Sequence, residues 1–237
     1  MRNVIWIPAF IAIGLLAYRM GRGSDEPDAD NDSWTADFPL NKRELSSIGR
    51  NPYFILEPGY QLVYEHGEKR LVITVLNETK IVDGVETRVV EERESKNGQP
   101  IEISRNYFAI SKRTNSVFYF GEEVDFYKGS KVTSHDGAWL AGKNGAKLGL
   151  IMPGQILLKG RYYQEIAPGV AMDRAEIVSM DQTIETPAGK FAGCVKTIDT
   201  TPLEPHTKEY KYYAPGIGLV QEESMKLVKH GIARSTK

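Results

Sequence analysis

From Asn51 onward the chain alternates short apolar-rich stretches with turn residues, and almost no helical period is present. "LVITVL" (71–76) is continuous and β-branched, the composition of a buried strand. "KIVDGVETRVV" sets Asp83-Gly84 between apolar flanks, and "ERESKNGQPIEIS" repeats the device with Asn97-Gly98. Both dipeptides accept positive φ and are strong hairpin signals. "SVFYFGEEVDFYKGSKV" (116–132) predicts two more short strands around Gly121 and a turn at Gly129. The spacing then changes: five glycines fall within 135–154, more than a regular strand tolerates. That stretch reads as a long, partly ordered crossing loop with Trp139 tucked under the domain. Strand patterns resume at "RYYQEIA" and continue to "GLVQEESMKLV". The pattern predicts one all-β domain over 51–230, an antiparallel meander forming a curved sheet or partly open barrel. Residues 41–49 are the best place left for a short helix.

Within "EYKYYAPGIGLVQEE" (209–223), period-2 alternation puts Tyr210 and Tyr212 on one strand face and Lys211 and Tyr213 on the other. Pro215 lacks a ladder donor and ends the pairing. Gly216 and Gly218 allow a sharp bend around Ile217, and Leu219-Val220 restarts the sheet. Phenol rings carry an apolar face and a polar tip, which suits a half-wet concave surface. Plain strand propensity accounts for them as well.

The N-terminus departs from this pattern. An uncharged apolar run from Val4 to Tyr18 lies between Arg2 and Arg19. As a helix, fifteen such residues span roughly 22 Å, short of the roughly 30 Å hydrocarbon core. Two readings of 1–23 stand: a signal peptide cut after Gly21-x-Gly23, or an uncleaved anchor helix that snorkels through its arginines. Both place the globular part outside the cytoplasmic membrane. No cysteine follows the run, which excludes a lipid-modified N-terminus. Residues 24–50 read as a polar, acidic linker. Its "DADNDS" has a calcium-loop rhythm, but counting from Asp28, Ser33 stands where glycine is needed and Pro39 where the bidentate Glu belongs.

Two segments carry a resemblance. "NPYFILEPGYQLVYE" (51–65) and "TPAGKFAGCVKT" with "EYKYYAPGIGLVQEE" resemble secreted or envelope-anchored bacterial β-proteins of unknown function with a C-terminal YYAPGxGxV strand motif. The likeness covers most of 51–223. It implies an antiparallel β fold and an extracytoplasmic address, with Phe191 and Tyr212–Val220 as fold-defining positions, and it brings no catalytic residue.

Charge and candidate chemistry add mainly exclusions. Lys+Arg number 30 against 31 Asp+Glu, and no basic stripe interleaves with aromatics, so no nucleic-acid partner is expected. The single cysteine, Cys194, cannot form an intramolecular disulfide and reads as a small buried residue. His66, His135, His206 and His230 lack metal-ligand spacing, so no metal or cofactor is implied. His135-Asp136 are strand neighbours that point apart. Gly-x-Ser-x-Gly is absent, and "GKNGAKLG" lacks the phosphate-loop pattern. Glu122-Glu123 reads as a solvated pair at a turn. The expectation is a non-catalytic envelope module, held to the membrane by its N-terminal segment and binding a protein partner or an apolar small ligand. Its ligand-binding candidates are Tyr212, Tyr162 and Trp139 on the concave face. The alternative is an envelope hydrolase or isomerase whose site is scattered over several strands.

Overall fold

The computed structural model describes residues 34–233. The expected leader helix (1–23) and the first part of the linker lie outside the described residues. Seventeen strands and one 3-10 turn, Lys42–Glu44, make up the described chain. In order these are β1 (Leu45–Ser46), β2 (Gly49–Asn51), β3 (Phe54–Leu56), β4 (Tyr60–His66), β5 (Lys69–Val82) and β6 (Val85–Lys96). There follow β7 (Gln99–Ser111), β8 (Val117–Lys128), β9 (Lys131–Ser134), β10 (Trp139–Leu140), β11 (Gly149–Met152) and β12 (Arg161–Tyr163). The last are β13 (Arg174–Thr186), β14 (Gly189–Thr201), β15 (Glu204–Ala214), β16 (Gly218–Glu222) and β17 (Met225–Ile232). Among the described residues no helix is long and apolar enough to cross a membrane.

Fifteen strands form one antiparallel sheet in the order β10-β8-β7-β6-β5-β4-β17-β16-β15-β14-β13-β12, with β1 on β7 and β9 and β11 on β8. The chain is therefore all-β, built mainly by neighbour-to-neighbour pairing with one long return from β17 to β4. The turns form where the sequence places them. Asp83 (φ 47) and Gly84 (φ 75) close β5 onto β6, and Asn97 (φ 52) and Gly98 (φ 74) close β6 onto β7. Two successive left-handed residues match the strand twist in such two-residue loops. The sheet rolls until its ends meet: Lys147 bridges Ile166, joining the loop before β11 to the segment after β12.

One face of the rolled sheet is dry. Tyr64, Tyr119, Tyr213 and Phe108 on this face are all essentially buried, and each such ring contributes about 1.5–3 kcal/mol by leaving water. Hairpin β2–β3 forms a separate two-stranded piece that closes one end of the roll. Asn51 anchors it: its side-chain amide donates to the carbonyls of Asn115 and Pro153, each at 2.9 Å, and its Oδ1 accepts from Tyr53 N at 2.7 Å.

The stretch 34–50, expected as linker, is paired with the sheet. Thr35 bridges Tyr162, β1 pairs β7, and the buried Arg88 donates through Nε to the Ser47 carbonyl at 2.9 Å. The glycine-rich stretch 135–154 carries β10 and β11, both laid against β8. Gly121 permits this approach: a Cβ there would stand 2.3 Å from the Trp139 carbonyl oxygen, and its φ is +130. Gly121→Ala is expected to lower unfolding free energy by about 3 kcal/mol, from left-handed strain plus the backbone clash. Urea unfolding of the two proteins measures it; equal midpoints would show that β10 does not dock on β8.

Candidate functional site

Register puts a set of side chains together on the dry face. Leu62 pairs Ile73, Ile73 pairs Glu92, and Val75 pairs Val90, so β4, β5 and β6 line one wall. Tyr213 and Leu219, themselves paired across β15 and β16, line the opposite wall. Hairpin β2–β3 adds Tyr53, Phe54 and Ile55, with Phe54 edge-on to Phe108 at 5.1 Å. Together they enclose a cavity of about 40 Å³, enough for a few waters or a small ligand group. Tyr53, Phe54 and Ile217 are its partly exposed members and mark the mouth.

The Pro-Gly-x-Gly break is built into this mouth. Gly216 N donates to the Pro52 carbonyl at 2.6 Å. Tyr60 donates its hydroxyl to the Ile217 carbonyl at 2.9 Å, and Tyr64 donates to the Leu219 carbonyl at 2.8 Å. The segments 51–65 and 209–223 thus meet around one hollow.

Behind the apolar walls the interior turns acidic. Glu92 is 3% exposed and neither carboxyl oxygen has a hydrogen-bond partner. Burial pushes its pKa well above the usual range; Glu222, Glu122 and Glu102 push the same way, and Lys211 opposes. Burial pulls the Lys211 ammonium towards neutrality, but Asp199 at 2.8 Å and Glu222 at 3.6 Å outweigh it and hold the charge. Thr197 donates to the other Asp199 oxygen at 2.7 Å. Burial raises Glu222 to about 8 against the pull of Lys211, and raises Glu102 to about 8 with Glu94 adding to it. Asp173, half-buried near Asp199 and Glu209, is raised to about 7, chiefly by desolvation and against the pull of Lys211.

Of the sequence candidates, Tyr162 is 4% exposed on the dry face, its hydroxyl unpartnered and its pKa raised by burial and by Asp199. Trp139 is 6% exposed and edge-on to Tyr119 at 5.3 Å, on the strand that pairs Glu122. Tyr212 lies on the other face of β15, half-buried, with the Lys196 ammonium 5.4 Å from its ring. None of the three lines the cavity; Tyr213, one residue on, does. Glu122 corrects the expectation of a solvated turn carboxylate. Strand β8 runs through Gly121, so Glu122 points inward and has no exposed surface.

His135 Nδ1 lies 2.9 Å from Asp125 Oδ1, with 71% of the His side chain exposed over an outer groove. His66 and His206 are exposed. Among the described residues no group of three or more His, Cys, Asp or Glu is arranged to hold a metal. Comparison with protein-family models, with curated proteins and with solved structures finds no match.

Two outcomes follow from the buried charges. Asp173, Glu102 and Glu222 hold protons in the fold that the unfolded chain has already lost above its ordinary carboxylate pKa. Their contribution to stability is full below about pH 4 and is lost as pH rises through about 7 to 8. Each costs up to about 1.4 kcal/mol per pH unit in that window. Thermal melts are expected to show a lower midpoint at pH 8.5 than at 5.5; a rise would contradict the buried-acid geometry. Lys211→Met strands Asp199 without its cation and is expected to destabilise by about 3–5 kcal/mol in urea unfolding at pH 7.

Proposed function

We propose that this chain is a non-catalytic binding module of the cell envelope, holding a small, largely apolar ligand inside a partly open barrel. The observation that carries the reading is the cavity between β4–β6 and β15–β16: apolar walls with very few polar groups, two of them unpartnered. Pockets of that composition bind by burial and orient by a few polar contacts. The envelope address rests on the apolar run from Val4 to Tyr18 and its flanking arginines.

A hydrolase or isomerase would be favoured by a histidine beside a carboxylate in a closed cleft. His135 and Asp125 form such a pair, but on an open outer groove with both side chains largely exposed. The binding reading is therefore preferred.

The test is methyl NMR of the full chain titrated with n-butanol as a minimal amphiphile. Shifts are expected at Leu62, Val75, Val90 and Leu219, and Val90→Phe, which fills the cavity, is expected to abolish them. Shifts scattered over the outer surface, unchanged in Val90→Phe, would overturn the reading.

A further inference from the structure

The apolar walls do not explain why a carboxylate stands among them. Glu92 sits on β6 between Ile73 and Ser104, and both its oxygens lack donors. Tyr213, 2% exposed, also lines the cavity, and its unpartnered hydroxyl lies towards Lys211, Asp199, Tyr162 and Glu222. A buried polar group left unpaired costs about 1–3 kcal/mol. The ionisable groups facing Glu92 are Glu222 on β16, Glu122 and the Tyr119 phenol on β8, Glu102 on β7, Lys211 on β15 and the Tyr64 phenol on β4. Lys211 is engaged by Asp199 and Glu222. None of these groups donates a hydrogen bond to either Glu92 oxygen.

We propose that the cavity binds a small primary amine, whose ammonium donates to Glu92 while its hydrocarbon part lies against Leu62, Val75, Val90 and Leu219. This rests on the binding reading above and adds the head group to it. An ammonium has three donors, enough for both Glu92 oxygens. An anion would meet three further carboxyl groups around Glu92. A neutral alcohol has one donor and leaves acceptors unpaired. The free volume of about 40 Å³ restricts the hydrocarbon to a short chain.

Charge balance accompanies binding. Burial favours the protonated form of Glu92 before a ligand enters. The entering ammonium takes the place of that proton, which leaves to solvent, so one positive charge replaces another and no bond other than the Glu92 O–H is broken. Affinity then rises about tenfold per pH unit while the pH lies below the raised value of Glu92.

Calorimetric titration of the full chain with n-butylamine, n-butanol and butyrate, at pH 5.5 and 7.5 in buffers of different ionisation enthalpy, tests this. Butylamine is expected to bind tighter at pH 7.5 than at 5.5 and to release protons as it binds. Butyrate is expected not to bind, and Glu92→Gln is expected to lose the amine while keeping butanol. Equal, pH-independent binding of amine and alcohol to both proteins would overturn the head-group assignment and leave the cavity reading standing. Failure of butanol to bind the unsubstituted chain would remove the cavity reading, and the amine with it. Should Glu92→Gln not fold, the proton release and pH slope of the unsubstituted chain decide alone.

Discussion

In a sheet rolled until its ends meet, the alternation of side chains along each strand becomes a division between water and a dry interior. Every strand must therefore hold its register, because a slip of one residue moves its whole inward set outward. Here the constraint is unusually consequential, because the inward set is chemically mixed. Val90 and Glu92 share a face of β6, Lys211 and Tyr213 share a face of β15, and their neighbours Glu91, Arg93 and Tyr212 look the other way. A slip would expose the apolar wall and drive Arg93 inward. The tight Asp-Gly and Asn-Gly turns at both ends of β6 start its pairing, and irregularities between Val75 and Thr79 and between Glu94 and Ser95 adjust the register on the way to Glu92.

The interior so defined is costly. A core of this size could be filled with leucine and valine alone, and replacing buried ionic groups with packed apolar ones is often neutral or stabilising. Lys211 is ion-paired with Asp199 and Glu222, and Thr197 donates to Asp199. Glu92 stands outside that network: it borders the cavity, and its oxygens meet no donor. The distinction between a buried carboxylate paired with a cation and one at a hollow that meets no donor separates structural electrostatics from a candidate site.

Much of the architecture was legible from local chemistry. The strands flanking Asp83-Gly84 and Asn97-Gly98, the break at Pro215 and the burial of Trp139 and Cys194 follow from turn propensity, missing donors and small apolar size. The non-local part was not legible. Leu45–Ser46 carries no strand signal of its own and is placed by pairing with β7, while Ser47 is held by Arg88. Parity correctly separated Tyr212 from Tyr213, but nothing in alternation alone says which parity is inward; aromatic character favoured Tyr212, whereas Lys211 shares the inward face with Tyr213. Glu122 was misjudged because Gly121 reads as a turn, although in the fold it is the gap into which the Trp139 backbone settles. A usable signal was present in Glu92 and Glu94, charged residues at the same parity as Val90.

The two segments that carried the sequence resemblance, far apart in the chain, are held to each other by main-chain acceptors. Gly216 binds the Pro52 carbonyl, while Tyr60 and Tyr64 reach the carbonyls of Ile217 and Leu219. Such bonds do not depend on side-chain identity at the accepting residue, so Ile217 and Leu219 remain available to line the cavity. The proline and glycines set the backbone path, the tyrosines tie it down, and the apolar residues between them shape the hollow. The segment that looked like a mere strand break is thus one wall and part of the mouth of the candidate site.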